Sequence, residues 1–176
     1  KSEFGLNDIV ILYRTNAQSR IIEDKLRKKA IPYQIIGGVK FYERKEIKDV
    51  LAFLKIISNS MDNVSMQRIL NFPPRGIGLK TFEKIKNYSD QRKISLFEGL
   101  EHINDVDISQ SQKKTLREFH KNLTNLKHNA KNSTVLDILN NLIIKFKIKE
   151  HYEKQNKIHH LHTTNNDDSR RLKELR

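Results

Sequence analysis

Four consecutive aliphatic residues, Ile9-Val10-Ile11-Leu12, constrain the fold of this chain more than any other stretch. A continuous apolar run of this length suits a strand buried on both faces, in the middle of a parallel sheet, better than a half-solvated strand. The run stops at Tyr13-Arg14-Thr15-Asn16. An aromatic ring and a fixed cation thus stand at the strand's carboxyl end, where ligands bind in open α/β sheets. Thr15 and Asn16 bring short polar side chains that suit a helix cap. A stacking ring, a guanidinium and a helix amino terminus together suit a nucleotide. An ordinary surface pair at a strand end is the other reading of Tyr13 and Arg14, and this stretch alone does not decide for the nucleotide.

After Thr15-Asn16, residues 17–29 place Ala17, Ile21, Ile22 and Leu26 at helical spacing. Pro32 disfavours helix in the residue before it and ends the element. Tyr33-Gln34-Ile35-Ile36 reads as a second strand, so a right-handed βαβ unit is expected before the Gly37-Gly38 break. Val39 to Ser58 begins with Lys40-Phe41-Tyr42-Glu43-Arg44 and runs into a strong helix, with Ile47, Val50, Leu51, Leu54 and Ile57 on one face and Phe53 and Ile56 widening it. Beyond residue 60 no strand signal remains. Asp62 or Asn63 caps a helix to about Leu70, and Phe82, Ile85 and Tyr88 mark another. Ser95-Leu96-Phe97-Glu98 is an S-x-x-E capping box. Ser109–Ala130 turns Leu116, Phe119, Leu123 and Leu126 inward. Thr134 to about Tyr152 does the same with Leu136, Leu139, Leu142, Ile143 and Phe146. Lys154–Asp168 reads as a polar loop and Ser169–Arg176 as the start of a last helix. The expected class is mainly α with a small α/β (βαβ) N-terminal portion and a domain boundary near residue 60.

Charge narrows the partners. Thirty-four Lys and Arg face 21 Asp and Glu, a net charge of +13 in 176 residues, which points to a polyanion such as nucleic acid. Lys and Asn are high throughout, so part of the excess belongs to solvated faces. With no cysteine there is neither a disulfide framework nor a thiolate metal site. His159-His160-Leu161-His162 lacks carboxylate or cysteine partners at ligand spacing and reads as loop, so no metal site is expected. No apolar run approaches the roughly 20 residues of a membrane span, and no signal peptide opens the chain. A cytoplasmic protein without a membrane partner is expected. Lys1 directly before a buried strand and Arg176 inside a helical pattern lead to the expectation of a piece of a longer chain.

The most informative loop is Asn71-Phe72-Pro73-Pro74-Arg75-Gly76-Ile77-Gly78-Leu79-Lys80-Thr81. Two prolines close one helix, and two glycines flank a single apolar residue directly before the next. Glycines allow a tight turn and close backbone approach. Successive amides at a helix amino terminus make an anion site. Residues 68–93 hold Arg68, Arg75, Lys80, Lys84, Lys86, Arg92 and Lys93 against Glu83 and Asp90. Such a hairpin grips backbone rather than base edges, so its binding is expected to be sequence-independent and salt-sensitive.

In order and spacing, ILYRTNAQSR, then IPYQIIGGVKFYERKEIKDVLAFLKII, then RILNFPPRGIGLKTFEKI resemble the UvrD/PcrA/Rep DNA helicases of superfamily 1, closely over residues 8–86. The resemblance implies that residues 1–60 are part of the second RecA-like motor domain, a partial sheet. It implies that residues 61–176 are most of its helical, duplex-binding insertion domain, called 2B. It implies an ATP-dependent 3′-to-5′ helicase in repair or replication, with ATP and Mg²⁺ used by the full-length protein. Tyr13 would stack on adenine, and Arg14 would reach the γ-phosphate as a catalytic arginine finger. Arg75, Gly76, Ile77, Gly78, Lys80 and Thr81 would hold duplex phosphates; Phe41 and Arg44 would lie toward single-stranded DNA. Expected partners are single-stranded and duplex DNA and the rest of the helicase chain. The sequence has no G-x-x-x-x-G-K-[ST] phosphate loop and no acidic pair placed for Mg²⁺. On its own it is therefore expected to bind no cofactor and to be inactive. Two other readings stay beside this one: a non-enzymatic DNA-binding or protein-interaction module, and a part of a RecB- or AddA-type helicase-nuclease.

Overall fold

A computed structural model describes residues 4–36 and 40–156. The chain divides into two compact units, Lys1–Lys48 and Asp49–Arg176. The division falls inside a helix, upstream of the change of sequence character near residue 60.

The first unit is built on α1 (Asn16–Lys28). The Gln18 Oε1 accepts the backbone N–H groups of Arg14 (3.0 Å) and Thr15 (3.2 Å), which fixes the start of the helix. Its end is a Schellman turn: the Ile31 N–H donates to Leu26 O and the Ala30 N–H to Arg27 O, with Ala30 at φ 52°. The stop is therefore made by backbone geometry two residues ahead of Pro32. On the buried face of α1 lies Glu23, only 2% exposed. Its carboxylate accepts from the Tyr33 hydroxyl (3.3 Å) and the Phe41 N–H (3.2 Å), so a buried charge is met by donors from the segments on either side of residues 37–39.

The expected strands are not formed: no strand occurs among the described residues. Residues 9–13 and 31–35 have no regular secondary structure, and Ile9, Val10, Ile11 and Leu12 are between 48% and 89% exposed. The physical reason is that a strand is completed by neighbouring backbone. Of the expected βαβ unit the described residues show the helix, flanked by two segments without strand structure. Gly37 and Gly38 lie outside the described residues.

The 3-10 turn Phe41–Glu43 and the start of α2 (Lys45–Ser58) close the first unit. The second unit is helical: the rest of α2 is followed by α3 (Asn63–Leu70), α4 (Leu79–Arg92), α5 (Leu96–Glu101), α6 (Gln110–Asn129) and α7 (Val135–Lys145). Residues 148–156 are helical too. In this unit the caps read at Asp62 and at Ser95 and Glu98 form; at the start of α1 Thr15 is the N-cap but makes no side-chain cap bond. The Asp62 carboxylate accepts the Ser65 N–H (3.0 Å), and Ser95 and Glu98 form a reciprocal box. α5 packs against α3, α4 and α6, and α6 against α7. Phe53, Met66, Ile69, Ile85, Leu116, Leu123 and Leu142 are fully enclosed between them. Phe53 stands among three rings, with centroids 4.6 Å from Phe146, 6.4 Å from Phe72 and 6.5 Å from Phe119. Asp49, 3% exposed, ties α2 to two distant elements through Arg68 Nε (2.6 Å) and the Tyr152 hydroxyl.

The single helix expected from Thr134 to about Tyr152 is two. It breaks at Phe146–Lys147, where Lys147 takes φ 53°. The break lets Phe146 and Ile148 both enter the core. Residues two apart on an unbroken helix do not share a face. Leu136, expected inward, is exposed. Of the expected polar loop, residues 154–156 are helical; the remainder, the histidine cluster and the last helix lie outside the described residues. No helix among the described residues is long and apolar enough to cross a membrane.

Candidate nucleic-acid interface

The hairpin between α3 and α4 is held by side chains that the spacing of charges did not reveal. Asn71, directly after α3, uses its Oδ1 to accept the N–H of Arg75 (2.8 Å) and of Ile77 (3.1 Å). One amide thus folds six residues of backbone into a loop. Gly76 occupies φ 77°, a conformation that only glycine adopts without strain. Ile77 is 4% exposed and anchors the loop in the core between the two glycines. From α6, Gln112 Nε2 donates to the Thr81 hydroxyl (2.9 Å) and more weakly to Gly76 O (3.4 Å).

Several expected contacts are redirected by this arrangement. The Arg75 guanidinium turns inward. It donates to the carbonyls of Ile69 (3.1 Å), Leu70 (3.0 Å) and Phe72 (2.7 Å), satisfying the open end of α3, and lies 4.1 Å from the Phe119 ring centre. Burial pulls its pKa down to about 10, which leaves it charged at neutral pH. Arg75 is therefore a bracket for the hairpin. The Ile77 and Thr81 side chains are likewise buried. What faces solvent is Gly76, Gly78, Leu79 and Lys80.

That stretch is a helix amino terminus without a side-chain cap. Gly78 is the N-cap of α4, and the first intrahelical donor is the Phe82 N–H, to Gly78 O. The amides just before it are the orphan donors of a helix start, at the positive end of its dipole. A Cβ placed on Gly78 meets nothing within 4 Å, so the approach is open. The broad basic field expected around it is thinner than its composition. Arg68 is bound to Asp49, Lys84 to Asp107 (2.7 Å) and Lys86 to Asp90 (2.5 Å), and Arg92 stacks over Tyr88 (3.8 Å). Of the seven cations, Lys80 and Lys93 have no side-chain partner among the described residues.

In the first unit, Arg14 is exposed without a side-chain partner among the described residues, and the adjoining Tyr13 is half-buried. A guanidinium in that state suits an incoming phosphate, and a ring in that state suits a base. Phe41 and Arg44 are less open than expected. Arg44 Nη2 donates to the buried Ser19 hydroxyl (2.9 Å), and the Phe41 ring has the guanidinium carbons of Arg20 and Arg44 5.0 Å and 5.4 Å from its centre. Arg27 sits 4.8 Å over the exposed Tyr42 ring. These pairs build the unit's local structure. No group of three or more potential metal-ligating side chains occurs among the described residues.

The sequence profile of the UvrD-like helicase C-terminal domain matches residues 1–176. This chain belongs to that family. Relatives agree with it. The ATP-dependent DNA helicase PcrA of Staphylococcus aureus is 40% identical over 149 residues, 85% of this chain. The protein of the same name from Staphylococcus epidermidis is 46% identical over 120 residues, 68% of this chain. The chain spans 20% of the length of the first relative and 16% of the second.

Proposed function

We propose that this chain works as part of an ATP-dependent DNA helicase moving 3′ to 5′ along DNA in repair or replication, acting in the cytoplasm. Residues 1–60 belong in this reading to the second RecA-like motor domain and residues 61–176 to a helical duplex-binding insertion domain. The observation that carries it is the uncapped, solvent-facing amino terminus of α4 behind the Gly76-Ile77-Gly78 turn, in a chain of the UvrD-like helicase family. Backbone amides and Lys80 grip duplex phosphates; Arg75, Ile77 and Thr81 hold the gripping surface in place from behind. Beside other strands of a motor sheet, residues 9–12 and 33–36 become the strands of a βαβ unit.

The nucleotide role rests on Tyr13 and Arg14. Tyr13 stacks on adenine, and the Arg14 guanidinium offsets charge developing on the transferred phosphoryl group. ATP and Mg²⁺ serve the longer helicase, since the phosphate loop and metal ligands are not among these residues. Phe41 and Arg44 border the path of single-stranded DNA, shaping it through their mutual contact. Membership of a helicase family favours this reading over a non-enzymatic module.

The test is titration of a short DNA duplex with this chain at two salt concentrations. Affinity is expected to fall steeply with salt, by a slope of about 0.9 per phosphate engaged. Gly78→Val should weaken binding without unfolding the chain, because the new side chain enters open space at φ −82° and stands where the phosphate sits. Binding unchanged by Gly78→Val and by Lys80→Ala removes the hairpin from the interface. In the helicase containing this chain, Arg14→Ala should cut ATP turnover by about 10³-fold or more with DNA affinity nearly unchanged. A large affinity loss at normal turnover would reverse the assignment.

A further inference from the structure

We propose that Gln112, on α6, is a positioning residue for duplex binding, holding the hairpin in its phosphate-gripping shape; this rests on the duplex-binding reading of the hairpin. Gln112 uses both ends of one amide. Its Oε1 accepts the Ser109 N–H (3.3 Å) and its own N–H donates to the Ser109 hydroxyl (3.3 Å), completing the capping box of α6. With Oε1 assigned to that donor, Nε2 faces the Thr81 hydroxyl at 2.9 Å and Gly76 O at 3.4 Å.

Those two acceptors bracket the exposed residues Gly78, Leu79 and Lys80. Gly76 starts the turn and Thr81 lies in the first turn of α4. Asn71 fixes the same loop from the α3 side through Arg75 and Ile77, leaving residues 78–80 without a side-chain strap of their own. Gln112 supplies the strap from an element far away in sequence, so the start of α6 and the hairpin keep one geometry. A support of this kind works by limiting the positions a liganding group samples.

The amide makes a separating substitution available. Gln112→Glu keeps, and by charge strengthens, the S-x-x-E capping box, so helix α6 should be at least as stable. A carboxylate has no proton to give to Gly76 O and repels it, and it keeps Thr81 only by accepting from the Thr81 hydroxyl. Gln112→Met removes the donor without adding charge. Gln110→Glu, two residues earlier at an exposed position with no hydrogen bond to the hairpin, adds the same charge.

Duplex affinity and its salt slope are measured for this chain and the three variants, with thermal unfolding alongside. Gln112→Met, which loses both contacts, is expected to weaken duplex binding roughly tenfold, by analogy with the loss of an outer-shell support behind a metal ligand, and Gln112→Glu, which keeps the Thr81 contact, to weaken it less than Gln112→Met but more than Gln110→Glu. The salt slope should fall by about one as a phosphate contact loosens, and Gln112→Glu should melt no lower than the unsubstituted chain. Gln110→Glu should bind nearly as the unsubstituted chain. The proposal is overturned if Gln112→Met binds normally, or if Gln112→Glu and Gln110→Glu weaken binding equally with unchanged slope. Weakening by Gly78→Val without weakening by either Gln112 variant removes this inference and keeps the hairpin interface. Absence of salt-dependent duplex binding by the unsubstituted chain removes both.

Discussion

The two units of this chain treat their apolar residues in opposite ways. In the helical unit, Phe53, Met66, Ile69, Ile85, Leu116 and Leu142 are enclosed by helices that follow one another within the same unit. In the N-terminal unit, the longest aliphatic run, Ile9–Leu12, is exposed, as is Ile36 at 91%. What is enclosed there is polar: the Glu23 carboxylate and the Ser19 hydroxyl, met by Tyr33, Phe41 and Arg44. The difference follows from the bonding of each element. A helix satisfies its own backbone and needs only one apolar stripe covered, whereas a strand buried on both faces needs backbone partners and cover together.

The largest test of that contrast compares Phe53→Ala with Ile11→Thr. Removing a fully enclosed ring from a cluster of three others should cost about 3–5 kcal/mol in urea unfolding of the helical unit. Ile11→Thr changes a half-exposed residue and should move stability within about ±0.5 kcal/mol while reducing self-association of the isolated chain. Comparable losses at the two positions would mean that residues 9–12 are covered in solution.

A smaller effect is expected where α4 and α5 approach most closely. A Cβ on Gly99 would stand 2.1 Å from the Ser89 hydroxyl oxygen, which is itself buried without a hydrogen-bond partner. Gly99→Ala should therefore destabilise by about 1–3 kcal/mol through overpacking. Adding Ser89→Ala should recover most of the loss, because the next atom, Ser89 Cβ, lies at an ordinary 3.5 Å. Additive losses in the double variant would place the strain elsewhere.

Much of the helical unit was legible because its signals are local. Asp62 caps α3, Ser95 and Glu98 start α5, and Leu116, Phe119, Leu123 and Leu126 define α6, each within a few residues of the element it sets. The failures involve partners far along the chain. Arg75 reads as a phosphate ligand until Phe119 and the carbonyls ending α3 are seen around it. The break at Lys147 carries no glycine or proline; the burial of both Phe146 and Ile148 accounts for it. Residues 9–12 read correctly as apolar, but hydrogen bonding between strands is not a property of one segment. At the candidate site, Gly76, Gly78 and Lys80 were legible as turn and charge. Asn71 and Gln112, which give the turn its shape, are common polar residues with no spacing signal to mark them.

The smallest effect sharpens the contrast in another way, since all seven histidines lie beyond residue 101 and the N-terminal unit has none. At His120 the fold resists ionisation. Its Nε2 is buried without a hydrogen bond, its ring lies 4.6 Å from that of Phe97, and Glu101 Oε1 at 3.8 Å is too far to accept a proton from it. Burial holds its pKa below the ordinary imidazole value, and the Glu101 charge opposes that only in part. The folded state thus favours the neutral ring. As pH falls below about 6.5 the unfolded chain takes up a proton that the folded chain resists, so this contribution to stability is full above that pH and is lost as pH falls through the lowered folded value. Urea midpoints from pH 8 downward should show His120→Leu losing less stability on acidification than the unsubstituted chain, and Glu101→Gln losing more. If acidification instead stabilised the unsubstituted chain relative to His120→Leu, attraction to Glu101 would outweigh burial.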